Sequence, residues 1–172
     1  MKPSLVVTLA VNVIALVATA GFAIPAGAQG SDNDPDLVEI RHYRLTMDKI
    51  EKFVSITQQV ASLAANDPDL QKRMEADSES DDKTLEQMVK RYDSSFPSAV
   101  AVIHRNGMST REYFLVSLAF MNDYMIVGTK KQGAIKEYPP NAITPENAAF
   151  VEQNFDKLKA IVAKMNTPDS TN

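Results

Sequence analysis

The stretch "TREYFLVSLAFMNDYMIVGTKKQ", residues 110–132, constrains the fold of this chain more than any other. It holds no proline, and its apolar side chains, including Phe114, Leu115, Val116, Leu118, Phe120, Met121, Met125 and Ile126, fall on nearly every face of a helix. A helix that is apolar all round has to be covered all round. A bilayer is not the expected cover, because Asn122 and Asp123 interrupt a run that is already too short to span one. The rest of the chain must then supply the sheath. The expected fold is all-α: a bundle of about four to six helices around a buried central helix at about 110–132.

The ends of that helix carry their own signals. Ser109-Thr110-Arg111-Glu112 is a capping box, in which the Ser109 hydroxyl accepts from a first-turn amide and Glu112 reaches back to the amide of the cap residue. Ser109 also stands two places after Gly107, as a nucleophile elbow would require. That motif needs a second glycine where Arg111 stands and a strand before it, so Ser109 reads as a helix start. Lys130 and Lys131 suit the negative end of the helix dipole, and Gly133 ends the helix.

Two further hydroxyl caps, Thr46 and Thr144, repeat the pattern. Each of the three caps follows an apolar residue (Leu45, Met108, Ile143) and precedes another four places on (Ile50, Tyr113, Ala148), as a hydrophobic staple requires. One helix is expected over about 47–65, with Ile50, Phe53, Val54, Val60, Leu63 and Ala64 on its inner side. Asp67-Pro68 restarts the chain as a short helix carrying Leu70 and Met74. The acidic loop "ADSESDD" leads to a helix at about 83–92 with Leu85, Met88, Val89 and Tyr92. Pro97 opens a short helix through His104, although the β-branched "AVAVI" leaves a strand open there. The last helix starts at Thr144-Pro145 and turns Val151, Phe155, Leu158, Val162 and Met165 inward.

The N-terminal end reads differently. In "MKPSLVVTLAVNVIALVATAGFAIPAGAQG", Lys2, an apolar run and the small residues Ala26 and Ala28 form the three parts of a secretory signal peptide, with cleavage expected after Ala28. Residues 29–45 are expected to be a flexible or extended lead: "QGSDNDPD" is polar and turn-prone, and "LVEIRHYRL" alternates weakly, as an extended arm lying on the bundle would. The helical domain then covers 46–166, and 167–172 form a disordered tail. The expected location is periplasmic or secreted, without stable membrane insertion once the signal is removed.

Loss of residues 1–28 takes away one basic residue, Lys2, and no acid, which moves the formal net charge from −4 to −5. An acidic chain of this kind is not expected to hold nucleic acid, which needs basic patches. Cysteine is absent, so the domain must be stabilised by its core and not by disulfides.

Candidate chemistry is sparse. His42 and His104 have no zinc or haem-attachment spacing around them. A haem held by Met47 or Met88 with His104, or copper(I) held by Met121 and Met125, competes with the plainer reading of methionines as core filler. Asp77, Glu79, Asp81 and Asp82 alternate like the start of a calcium loop, but Asp82 stands where such a loop needs glycine and Met88 where it needs glutamate. No catalytic, metal or cofactor residues are therefore expected. A hydrolase would need convergent titratable groups that this chain does not assemble.

What stands out is polar character inside apolar surroundings: Asn122, Asp123 and, near the core sector of the last helix, Asn154. Buried polar groups need partners, and a carboxylate away from water needs a cation or a raised pKa. They form either a cross-helix network fixing register or a ligand pocket between helices with Arg111, Tyr113 and Tyr124 at its rim.

The stretches "NGMSTREYFLVSLAF" and "ITPENAAFVEQNFDKL" resemble those of uncharacterised secreted helical proteins of Gram-negative bacteria. The resemblance covers roughly the last two helices and implies an exported helical domain with no assigned activity. The expected function is a non-enzymatic binding or scaffold module for a small apolar ligand or a protein partner. The alternative is a periplasmic haem or metal carrier.

Overall fold

The computed structural model describes residues 34–77, 82 and 84–165. The proposed signal peptide, the beginning of the lead, Glu79, Asp81 and the tail lie outside them. Seven helices and no strand occur among the described residues: α1 (Pro35–His42), α2 (Met47–Ala65), α3 (Pro68–Asp77), α4 (Leu85–Ser95), α5 (Pro97–Arg105), α6 (Thr110–Lys131) and α7 (Pro145–Met165). The fold is all-α, with one helix more than expected.

Local chemistry starts the helices at the hydroxyl caps expected at Thr46, Ser109 and Thr144, and at Thr84 in addition. The hydroxyls of Thr46, Thr84, Ser109 and Thr144 accept from the amides of Lys49, Gln87, Glu112 and Asn147 at 3.1–3.4 Å. The Asp67 carboxylate does the same for Leu70 at 3.0 Å. Each acceptor satisfies an amide that has no partner within its own helix. The capping box at Ser109 closes on one side only, because the Glu112 carboxylate accepts from the Tyr43 hydroxyl at 3.0 Å. Gly107 and Gly133 end α5 and α6 with φ of +70° and +76°, a conformation in which a Cβ is costly. "AVAVI" is helical, within α5.

α6 is the central post. It packs against α1, α2, α4, α5 and α7. Tyr113, Phe114, Leu115, Val116, Ala119, Phe120 and Val127 are buried along it. Around its first half, aromatic rings run in a chain from Phe53 of α2 through Tyr113 and Phe114 to Tyr92 and Phe96, with successive centroids 5.1–5.7 Å apart. Tilted and edge-on pairs at this spacing add to the apolar burial that holds the bundle.

Two expectations are corrected. The extended lead is in part the helix α1: Asp34 caps it by accepting from the Asp36 amide, and Pro35 occupies the first turn. Only Ile40 of α1 is buried, and polar contacts hold the helix in place. Asp36 accepts from the Leu85 amide at 2.7 Å, which sets its charge on the positive end of α4. Glu39 makes a two-pronged ion pair with Arg111, and Arg41 donates to the Asn141 carbonyl at 2.6 Å. The second correction concerns α6, which is not hidden throughout. Met125 is 63% exposed.

Candidate functional site

The polar residues of α6 meet a partner that the sequence reading passed over. Asp123 is fully buried. One of its carboxylate oxygens accepts from Asn122 Nδ2 at 3.0 Å and the other from Asn147 Nδ2 at 2.8 Å. Asn147 stands in the first turn of α7, where the Thr144 cap fixes its backbone. Its side chain reaches further: Nδ2 also donates to the Tyr43 carbonyl at 2.9 Å, and Oδ1 accepts from the Leu45 amide at 3.1 Å. Asn122 Nδ2 donates in addition to the Ala142 carbonyl at 3.1 Å. Four pieces of chain thus converge on one carboxylate: α6, α7, the α1–α2 connector and the loop before α7.

The orientation of both amides follows from this wiring. Turning Asn147 over would face its oxygen toward the Tyr43 carbonyl and its nitrogen toward the Leu45 N–H, and turning Asn122 over would set its oxygen against the Ala142 carbonyl. Both residues are therefore held as donors toward Asp123. Burial raises the Asp123 pKa from 3.8 to about 7, and the two amide hydrogen bonds act in the opposite sense by favouring the anion. No ion pair involves Asp123 among the described residues.

Of the residues proposed from sequence, the structure joins only Asn122 and Asp123 in this cluster. Arg111 is paired with Glu39, and Tyr113 shares a 3.0 Å hydrogen bond with Thr57 in the core. Asn154 donates to the Phe150 carbonyl of its own helix at 2.8 Å. Tyr124 stacks on Phe155, with centroids 5.1 Å apart and planes 14° apart. Asn147 was missed although a signal existed. It lies four residues before the buried Val151, on the same inward stripe as Leu158 and Met165, and a polar side chain on that stripe needs a partner.

The other notable surface is the outer side of α6 beyond its middle. Between Tyr113 and Thr129 its single charged residue is Asp123, which faces inward. Leu118, Met121 and Met125, spaced three and four apart, lie half-buried or exposed on one side. The Tyr124–Phe155 stack lies alongside. Gly128 faces it: a Cβ there would sit at ordinary contact distance, 3.6 Å, from the Phe155 ring. The Lys131 ammonium lies 5.1 Å from the centre of the Phe155 ring, a cation–π distance.

The remaining sequence candidates are placed as follows. Met88 is buried in the core, Met47 is half-buried and His104 is exposed. His104 Nε2 lies 3.4 Å from the Thr110 hydroxyl, which donates to Asp93 at 2.6 Å. Asp77 and Asp82 both pair with Arg91, across the acidic loop. Among the described residues no group of three or more histidine or acidic side chains is placed to hold a metal, and no helix is long and apolar enough to cross a membrane. No protein-family model, curated protein or solved structure was found to match the chain.

Proposed function

We propose that the chain is an exported, non-enzymatic binding module that receives a protein partner on the outer side of α6. The observation that carries this reading is the uncharged stripe Leu118, Met121 and Met125, whose last member is 63% exposed. Met125 stands in water on a stretch of α6 that carries no outward charge between Tyr113 and Thr129. Beside it, Leu118 and Met121 are half-buried against the core, and a covering partner would take this apolar side from water. Methionine suits such a surface, because its unbranched, polarisable side chain adapts to the shape it meets. Export is supported by the three-part N-terminal segment.

Two experiments test this. A photo-crosslinking side chain at position 125, and a control at the exposed Gln58 of α2, are introduced into the full chain in the cells that make it. A discrete crosslinked protein from position 125 and none from position 58 is the expected result. No product from position 125 overturns the binding surface. Mass measurement of the protein from the exported fraction is expected to give a chain beginning at Gln29, and an uncleaved cytoplasmic protein overturns export.

A further inference from the structure

The Asn122–Asp123–Asn147 cluster is also where the connector after the first helix is fastened to the start of the last one. Asn147 holds the Tyr43 carbonyl and the Leu45 amide, and these two groups bound the connector from which α1 departs. α1 buries only Ile40, so little apolar packing anchors it beyond that connector. Whatever weakens the grip of Asn147 weakens the attachment of α1.

The cluster changes character with protonation. As an anion, Asp123 accepts from a fixed amide on each of its two oxygens, but among the described residues the charge is buried with no cation to offset it. As the neutral acid it loses the charge. We propose that this cluster is a pH-sensitive clasp, in which ionisation of Asp123 promotes opening of the Tyr43–Leu45 connector so that water reaches the carboxylate.

The neighbouring charges do not take over this role. On α6 the charged groups are Arg111 and Glu112 at one end and Lys130 and Lys131 at the other, each about two turns or more away along the helix. On α7, Glu146 is exposed and Glu152 is engaged by Lys130 and Tyr138. On α1 and the connector, Arg41 is directed at Asn141, the Tyr43 hydroxyl at Glu112, and His42 and Arg44 are exposed. On α2, Asp48 is exposed and Lys49 lies over the Tyr43 ring while donating to the Arg44 carbonyl. Burial, opposed by two neutral amides, is what moves Asp123.

The sign follows from linkage. An acid whose pKa is raised in the closed state favours closure below its free value, and that advantage disappears as the pH climbs to the raised value. Between pH 3.8 and about 7 the opening constant of the clasp is expected to rise by up to about a thousand-fold, then level off.

The test uses the full chain. Carbon-13 NMR of the Asp123 carboxyl, assigned by its loss in Asp123→Asn, follows the titration, and exchange of the Leu45 amide follows opening. The expected results are a midpoint near 7 and a Leu45 protection factor that falls between pH 4 and 7 in the wild type but stays flat in Asp123→Asn. An Asp123 midpoint near 4, or the same Leu45 profile in both proteins, overturns the clasp. Asn122→Ala keeps Asp123 and removes one donor to its anion, so the midpoint should move upward. A midpoint that stays or falls overturns the proposal even if Asp123→Asn does not fold.

Discussion

Asn147 of α7 donates to the buried Asp123 of α6 at 2.8 Å while the same amide grips the backbone of Tyr43 and Leu45. One short side chain thereby satisfies three groups, two of them in fully buried hydrogen bonds. Such wiring makes Asn147 costly to replace. Asn147→Ala leaves the Leu45 amide and the Tyr43 carbonyl without this partner, and a loss of about 2–4 kcal/mol is expected from chemical denaturation at pH 7. Asn147→Asp sets a second carboxylate against the first, and its loss should be larger at pH 8 than at pH 5.

Global stability should carry the imprint of Asp123. Its raised pKa means that the folded state binds this proton more tightly than the unfolded chain does. The contribution is therefore full below pH 3.8, declines as the pH rises to about 7, and is flat above that. Its full size is on the order of 4 kcal/mol. Denaturation midpoints measured from pH 4 to 8 in the wild type and in Asp123→Asn should differ in slope over that window, with the wild type falling relative to the variant.

Gly128 lies in the last turn of α6 with space for a Cβ above it. A Cβ would meet the Phe155 ring at ordinary contact distance, so Gly128→Ala is expected to raise stability by about 0.5–1 kcal/mol through lower backbone entropy in the unfolded chain. Gly128→Leu pushes Phe155 off Tyr124 and should lower it. Thermal melts of the two variants check the sign in each case.

Ser109 serves as a cap. Ser109→Ala removes the acceptor for the Glu112 amide and should cost about 1 kcal/mol. Ser109→Asp should retain most of the stability, because a carboxylate caps equally well and suits the positive end of α6. Equal losses for the two variants would contradict this role.

Met125→Lys separates folding from binding. With most of its side chain in water, Met125 should change stability by no more than about 0.5 kcal/mol when replaced, while any partner on this face is lost. A large drop in melting temperature would mean that Met125 packs in the core.

The all-helical class was legible because capping chemistry is local. A hydroxyl or carboxylate before an apolar run needs only the next three residues to act, and Thr46, Asp67, Ser109 and Thr144 act as read. α1 was missed although Asp34-Pro35 repeats the pattern read at Asp67-Pro68. It shows no apolar stripe, and Asp36, Glu39 and Arg41 hold it through groups on α4, on α6 and in the loop before α7. The position of Met125 was illegible for another reason: when every face of a helix is apolar, composition does not say which face the neighbours leave open. Of the polar cluster, Asn122 and Asp123 stood out by contrast with their surroundings. The third member lies more than 20 residues away, and only the approach of α7 to the connector brings it in.

Asn147 follows the backbone it secures by 104 positions at Tyr43 and 102 at Leu45. A ribosome delivers the N-terminal end first, so the Tyr43–Leu45 connector must wait without this fastening until the final helix has begun. Ending the chain ahead of residue 145 would leave that connector unlocked and α1 held by its contacts to α4 and α6, an accessible foothold for proteases near the start of the domain.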